Sequence, residues 1–549
     1  MHPRSPRSRP VRAGLALLAA TVLLAACSDN HPSTPPSGGP GVTLAPGATP
    51  TAPLGTDTPS STPGTIPAEF PLAVVTGLEN NKTVITMDEL STLTEKGELL
   101  YPCGIVGVEM PNPSMQCVPG DQIAATVQAK PTTIALLPVG LVEPATKVLA
   151  FKGDGPFGLF GPDLFGGPDQ RALQYPLHGS LTGTATVDPA WVSPVDSGQI
   201  WTLNETGSLC ADRGGAKQAV TLKKGWDWVF NGGTAKYTGK PIPNPNPPPG
   251  IDRHPIVRPV ETGNDGATSK LIASSDVTLG NLKCPVLPTK DWHPANQQAG
   301  LSVPEDVLDR WESFLGIDAV YLPADHQSDR GVRGIKSTLD LLEKHGFPGT
   351  GLGMNLDQAL EPAYLDVAGL KVAFVSWDNV PGPTHAAANT PGVAWMTKSN
   401  INAAVQRARD GGADLIVCNP QWWAGSEYRE QLFPNQQKAL GWMDAAGCDQ
   451  VLGGGLHVSG AVYLRKIGAG ALSVVDAGPG NFQYGQDFWQ NTQEGVVVQL
   501  VFRGSNLVNV RLYPYVMILA ARAALLDPEA DGHYVLDRIW SYSELDYRN

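Results

Sequence analysis

The sequence predicts an α/β protein: a layered sandwich preceded by a small α/β accessory domain. Two observations carry this. From residue 69 onward, short apolar or β-branched runs alternate with amphipathic segments at helical spacing, and Gly or Pro marks the joins, as at Gly346 and Gly411-Gly412. The roughly 480 residues of that region also exceed one core of ordinary domain size, which argues for two folded units.

Residues 1–26 stand apart from the fold. Arg4, Arg7, Arg9 and Arg12 precede the apolar core Leu15–Leu24, and Leu24-Ala25-Ala26-Cys27 has a small-residue cleavage pattern with cysteine at the new terminus. The run is shorter than the ~20 residues a membrane span needs. It resembles a bacterial lipoprotein signal, which implies a lipid on Cys27 and a chain anchored at the extracytoplasmic face of the cell membrane. Residues 27–68 are rich in Pro, Thr, Ser and Gly, with too few apolar groups to offset the ordering entropy of a core; a disordered stalk is expected.

The formal net charge is −13, and the leader contributes only positive charge to it. That excludes nucleic-acid binding through a broad basic surface. Of seven cysteines, six remain once Cys27 is set aside, an even number suited to an oxidising compartment. Cys103 and Cys117 flank a short loop and are expected to pair. Cys210, Cys284, Cys418 and Cys448 have no connectivity legible in the sequence, and no CxxC or Cys/His spacing points to zinc.

Within the accessory domain, residues 69–194, Pro71–Thr76 and Thr133–Pro138 read as buried strands and Met87–Lys96 and Asp121–Ala129 as amphipathic helices. The order of a helix, then PTTIALLPVGLV, then KVLAFKGDGP, loosely resembles one lobe of a phosphate-type periplasmic binding protein. It lacks that family's phosphate-gripping Ser/Thr-Gly motif, so a structural accessory role is the alternative.

In residues 199–513 six motifs follow in order: Thr206-Gly-Ser-Leu-Cys-Ala-Asp-Arg213, SDVTLGNLKCP at 275–285, GIDAVYLPADHQSDRG at 316–331, ADLIVCNPQWWAGSEY at 413–428, DQVLGGGLHV at 449–458 and Gly480-Asn-Phe482. With the strand Leu370–Trp377, they resemble the CapA family of capsule-synthesis proteins, known for poly-γ-glutamate biosynthesis and related in fold to calcineurin-like metallophosphoesterases. Most motifs contain or follow a strand-like run: Val277–Leu279, Ala319–Leu322, Leu415–Val417, Val451–Leu452 and Leu472–Val475. In a layered α/β fold the loops leaving such strands gather at one edge, where ligands bind.

The resemblance implies a divalent-metal site, and this chain departs from it. Ser208 stands for the family's Asp, Lys283 for a Glu, Ala324 for an Asn, Gln421 for a His, and Gly454 and Gly455 for paired His. Asp325, His326 and His457 remain as candidate catalytic residues. Arg213, Asn281, Gln421 and Glu427 are candidate ligand-binding residues. No metal ligands are assigned, and a divalent ion is the one cofactor left open. Each candidate has a structural alternative: a loop histidine, a helix-capping Asp325, an Arg213 paired with Asp212 or Asp325, a solvent-facing Glu427. Trp377, Trp422 and Trp423 read as core, with sugar stacking as the alternative.

A Pro/Asn-rich insert, Gly239–Pro259, is expected to be an extended loop beside the cleft, and residues 514–549 a helical tail, with helices at Met517–Leu526 and Tyr534–Tyr542. Three functional readings follow. The first is binding of an anionic envelope polymer or a membrane-bound synthase through a degenerate site. The others are metal-dependent hydrolysis or transfer on an envelope polymer, and solute binding by the accessory domain.

Overall fold

The computed structural model describes residues 70–546, apart from 104, 107–115, 153–176, 182–198, 243–255, 295–299, 424, 426 and 469. The leader, Cys27 and the stalk lie outside the described residues, as does the middle of the Pro/Asn-rich insert.

The accessory region builds on the strand Phe70–Gly77, which pairs antiparallel with Ala135–Pro138, Thr146–Val148 and His178–Leu181. Its side chains alternate between two cores, as a pleated strand requires. Leu72 and Val74 pack with Leu90 of the helix Met87–Glu95. Ala73 and Val75 pack with Ile123 and Val127 of the helix Gly120–Ala129, and with Val501 and Val508 of the strands Glu494–Arg503 and Asn506–Ile518. The first helix is fixed at its start by a capping box: Glu89 N–H donates to Thr86 Oγ1 and Thr86 N–H donates to the Glu89 carboxylate.

The main body is a sandwich of two sheets. A ten-stranded sheet has at its centre Glu494–Arg503, Ile200–Cys210, Val277–Leu282 and Ala319–Tyr321. A six-stranded sheet orders Ala363–Val367, Leu370–Asp378, Leu415–Gln421, Gln450–Leu452, Ala471–Asp476 and Val462–Ile467. Between them Leu203, Val277, Leu279 and Tyr321 meet Phe374, Leu415, Val417 and Leu452. The intervening residues of the six-stranded sheet, Ala373, Val375, Ile416 and Cys418, face outward onto the helices Lys398–Asp410 and Pro434–Ala446. On the ten-stranded sheet the outer face is covered by the helix Gly331–His345 and shorter helices around Trp226, Leu271 and Leu308. Helices stop where the sequence says they should: Gly346 at φ 71° and Gly447 at φ 100° take the left-handed cap conformation. The α/β layered sandwich expected from the sequence is present.

Three disulfides join Cys103 to Cys117, Cys210 to Cys284 and Cys418 to Cys448. The first is the expected pair. The second ties the end of the strand Ile200–Cys210 to the segment just after Val277–Leu282, two strands that already run parallel. The third links the strand Leu415–Gln421 to the residue after Gly447.

Two expectations need correction. Met517–Leu526 is not a helix: Asn506–Ile518 and Arg522–Leu526 are antiparallel strands, and only His533–Tyr542 is helical in the tail. The Ala/Leu composition favours a helix locally, but Val516, Met517, Ala524 and Leu526 are buried as members of the sheet, and tertiary burial outweighs propensity differences of a few tenths of a kcal/mol. The insert Gly239–Pro259 is not loop throughout either. Its ends lie within the strands Thr234–Ile242 and Ile256–Gly263, which pair with Tyr237 opposite Pro259 and Pro241 opposite Val257. Ile256–Gly263 is the outermost strand of the ten-stranded sheet, the position where proline is tolerated in a ladder.

Candidate functional site

Both sheets send the carboxyl ends of parallel strands to one rim. Ile200–Cys210, Val277–Leu282 and Ala319–Tyr321 are mutually parallel, as are Leu370–Asp378, Leu415–Gln421, Gln450–Leu452 and Ala471–Asp476. The loops that leave them bring residues far apart in sequence into one cluster, from Arg213 on the first strand's exit to Tyr484 after the last.

At its centre is Lys283. Its side chain is fully buried, and Nζ lies 3.2 Å from Asp325 Oδ1 and donates to Glu427 Oε1 at 3.0 Å. Burial works against the ammonium, but Asp325 and then Glu427 outweigh it and hold the pKa above that of an ordinary lysine. The effect on Asp325 is reciprocal: burial would raise its pKa, yet Lys283, followed by His326 and His457, keeps it below the usual carboxylate range. Lys283 therefore occupies the place between the two acids that a bound cation would take. It is the cation of the site.

The two histidines flank this pair. His326 Nδ1 is 2.9 Å from Asp329 Oδ2, and its Nε2 lies 2.9 Å from Tyr484 Oη and 3.2 Å from Asp325 Oδ2. His457 is buried, with Nδ1 2.8 Å from Asn481 Oδ1 and Nε2 3.7 Å from Glu427 Oε1. Burial, reinforced by Lys283, pushes its pKa down to about 4, so it is neutral at physiological pH. A neutral imidazole whose Nδ1–H is committed to Asn481 presents Nε2 as an acceptor toward the cleft.

Tyr484 lies at the meeting point of the cluster. Its ring stacks on His457 at 4.9 Å between centroids and lies 5.3 Å from the Arg213 guanidinium carbon. Arg213 is exposed and has φ 48°; it pairs with neither Asp212 nor Asp325 through its guanidinium, although its backbone N–H donates to Asp212 Oδ1 at 2.8 Å. Tyr428, Phe488 and Trp489 continue the aromatic wall, with Tyr428 6.0 Å from Phe488. Trp377 and Trp422 belong to the outer core of the six-stranded sheet and take no part in it. Tyr484 was not singled out by sequence reasoning; the available signal was its place two residues after the Gly480-Asn-Phe482 turn.

Below Lys283, Gln421 Nε2 donates to Asn281 Oδ1 at 2.8 Å, and Tyr321 Oη donates to the buried Glu205 at 2.7 Å. Burial, together with the charge of Asp476, raises the pKa of Glu205 well above the carboxylate range. Burial does the same to Asp378. These acids escaped sequence analysis because they sit inside strands, where a lone Glu or Asp gives no motif.

The donor set does not fit the divalent-metal centre that the sequence resemblance implies. A β-carbon on Gly454 would sit 2.5 Å from Asn281 Nδ2 and 2.7 Å from Gln421 Nε2, so amides fill the space of the family's histidine. The two carboxylates best placed for a cation, Asp325 and Glu427, already share the Lys283 ammonium, which would repel a metal ion. Among the described residues no group of three or more His, Cys, Asp or Glu is arranged to hold a metal.

The model of the family described as "Bacterial capsule synthesis protein PGA_cap" matches residues 260–482. The "Capsule biosynthesis protein CapA" of Bacillus anthracis is 27% identical over 252 residues, covering 45% of this chain and 59% of that protein. The "PGA biosynthesis protein CapA" of Bacillus subtilis (strain 168) is 27% identical over 231 residues, covering 42% and 58%. The chain thus spans less than two thirds of the length of these relatives. Among solved structures, the 5'-nucleotidase precursor of Thermus thermophilus aligns at a TM-score of 0.32 and 14% identity, over 62% of this chain and 58% of that one; at that score nothing further follows from the likeness. The matched stretch contains five of the six ordered motifs and the Lys283–Asp325 pair, so the similarity to the CapA family of bacterial capsule-synthesis proteins runs through the residues of the cleft.

Proposed function

We propose that this protein acts in the biosynthesis or handling of a capsule, poly-γ-glutamate or related anionic envelope polymer, and that its cleft binds polymer or a membrane-bound synthase rather than performing metal-assisted hydrolysis. The observation that carries this reading is Lys283, a buried ammonium held between Asp325 and Glu427 where metal-assisted chemistry would need uncompensated carboxylates. A cation built into the chain preserves the electrostatic balance of the cleft without an ion to activate water. Around it, the exposed Arg213 and the half-buried Tyr428, Phe488 and Trp489 supply a carboxylate-binding group and apolar surface for the spacer carbons of a polyacid. His326 and His457 then serve as hydrogen-bonding groups of the cleft.

The full chain is expected to carry well under one divalent ion per molecule by elemental analysis and to bind poly-γ-glutamate in a titration that Arg213→Ala weakens. Two tightly held ions per chain, with metal-dependent hydrolysis of polymer or phosphoester, would overturn the reading in favour of an active metalloenzyme.

We also propose lipid anchoring through Cys27, supported by the Leu24-Ala25-Ala26-Cys27 pattern. Among the described residues no helix is long and apolar enough to cross a membrane. In detergent-phase partitioning the wild type should follow the detergent and Cys27→Ser the aqueous phase; equal aqueous recovery of both would sink the anchor.

A further inference from the structure

Beside the mouth of the cleft the chain turns apolar side chains to solvent. After Arg213 it runs through the helical turns Gly214–Ala216 and Lys217–Thr221, whose inner residues Ala216 and Ala219 are buried against the outer face of the ten-stranded sheet. The outer residues are Lys217, Val220, Leu222, Lys223 and Lys224, with Val220 44% and Leu222 52% exposed. A third apolar tip, Leu519, is 56% exposed on the hairpin between the strands Asn506–Ile518 and Arg522–Leu526. The two segments touch. A β-carbon on Gly214 would run into the Ala520 carbonyl oxygen, and one on Gly485, the neighbour of Tyr484, would sit 2.9 Å from it. Further along, the Arg522 guanidinium carbon lies 4.3 Å from the centre of the Trp228 ring, which Lys224 Nζ also faces at 3.9 Å.

The fold alone does not ask for these residues at these places. A two-residue hairpin turn puts both central residues at positive φ and favours Asn-Gly. Here it is Leu519-Ala520, at φ 55° and 53°, closed by Ala521 N–H donating to the Ile518 carbonyl at 3.1 Å. Among the described residues five non-glycine residues have positive φ, and Arg213, Lys223, Leu519 and Ala520 are four of them; such conformations concentrate where function holds them. The loop also pairs its own backbone. Leu222 N–H donates to the Lys217 carbonyl, Lys223 to Val220, Lys224 to Gln218 and Gly225 to Ala219. Its apolar tips can therefore enter an apolar phase without carrying those N–H groups in unpaired.

Charge selects the occupant. Residues 213–228 hold four cationic side chains and one acid, Asp227, in a chain of net charge −13. Asp227 is 3.2 Å from Arg310, Glu261 on the edge strand pairs with Arg522, and the buried Asp212 accepts from Ser302 N–H at 3.0 Å. The three lysines are thus in local excess. We propose that this surface, Val220, Leu222 and Leu519 flanked by Lys217, Lys223 and Lys224, docks on an anionic lipid membrane, with the apolar tips in the headgroup layer and the ammonium groups on lipid phosphates. Lysine stems can lie along the apolar tips while their heads stay in the polar layer. A soluble polyacid would use the lysines and leave Val220, Leu222 and Leu519 in water; a lipid surface uses both. The negative charge elsewhere on the body does not prevent docking, because charges more than ~8 Å away are largely screened at physiological ionic strength. Docked in this way, the cleft opens at the lipid surface, an orientation that a tether at Cys27 does not set. The proposal goes beyond the cleft's ligand and does not depend on it.

Cosedimentation with vesicles of equimolar phosphatidylcholine and phosphatidylglycerol tests this, using the chain from Ser28 on, which lacks the leader and Cys27 and keeps every described residue. The wild type is expected to bind, less so as salt is raised. Val220→Ser/Leu222→Ser should lower the partition coefficient about tenfold, as expected for the apolar area returned to water. Lys217→Gln/Lys223→Asn should cost about tenfold on these vesicles and little on pure phosphatidylcholine. Leu519→Asn should weaken vesicle binding while raising the melting temperature, because Asn accepts the left-handed conformation; a variant that gains stability and loses binding separates docking from unfolding. No vesicle binding by the wild type, or binding undiminished by Val220→Ser/Leu222→Ser and Leu519→Asn, would overturn the proposal. If those apolar variants bind vesicles as the wild type does and the lysine variant loses soluble poly-γ-glutamate instead, the surface belongs to the polymer and the membrane assignment falls.

Discussion

Lys283→Met is expected to destabilise the protein by about 3 kcal/mol at pH 7, near the lower end of the cost of removing one partner from a buried ion pair. The lower end applies because Asp325 and Glu427 each keep 16% exposure and so retain some water when the ammonium is gone. The pH dependence follows from the same groups. In the wild type Asp325 titrates below its ordinary value, so its contribution is present at neutral pH and is lost only as pH falls through that depressed value. Without Lys283 the main influence holding Asp325 low is gone and the two carboxylates repel, so the variant's deficit should shrink as pH falls into the carboxylate range. Urea unfolding at pH 7 and pH 4.5 measures this, with Lys283→Met/Glu427→Gln completing a double-mutant cycle. If Lys283→Met unfolded at the wild-type urea concentration at pH 7, the ion pair would not be the centre of the site.

Removing the Cys210–Cys284 disulfide should have an effect of similar size. The bond closes a sequence separation of 74 residues, for which chain entropy gives about 4 kcal/mol. It also lies next to Lys283 in sequence and joins the exits of two strands whose loops carry Arg213 and Lys283. Cys210→Ala/Cys284→Ala is therefore expected to lower the urea midpoint and to weaken ligand binding in the cleft together. Loss of stability with binding unchanged would show that the bond braces the fold without holding the loops in place.

Much of the scaffold was legible because local signals and burial agree. Leu72–Val75 and Val372–Val375, within the strands Phe70–Gly77 and Leu370–Asp378, are apolar runs that are buried, and the helix Gly331–His345 ends at a glycine that takes the left-handed conformation. The Cys103–Cys117 pair followed from a short loop. Other features depend on partners distant in sequence. Met517–Leu526 carries helical composition yet pairs as strands because the sheet offers it a buried slot. The partners of Cys210 and Cys418 depend on which strands lie side by side. At the site, Asp325, His326, His457, Glu427 and Arg213 could be named from motif order, and the structure brings all five together. The role of Lys283 was not legible: from sequence it is a substituted ligand, and only geometry turns it into the shared partner of two acids. Tyr484 had only its place just after the Gly480-Asn-Phe482 turn as a signal, and Glu205 and Asp378 had none, since an isolated acid within a strand is ambiguous until its neighbours are known.

The outermost strand Ile256–Gly263, with Pro259 in the ladder, bears on self-association. An open sheet edge is a row of unsatisfied donors and acceptors on which another chain can template, and proline deletes one donor from that row. The opposite end of the same sheet is the two-residue strand Gly349–Thr350, too short to recruit a partner. On the six-stranded sheet, the edge strand Val462–Ile467 is met by the chain's own tail, with Leu464 N–H donating to the Glu544 carbonyl at 2.9 Å. These features blunt three of the four ends of the two main sheets against intermolecular pairing, so growth of a second chain onto the sandwich is directed to the one end left, the strand Ala363–Val367.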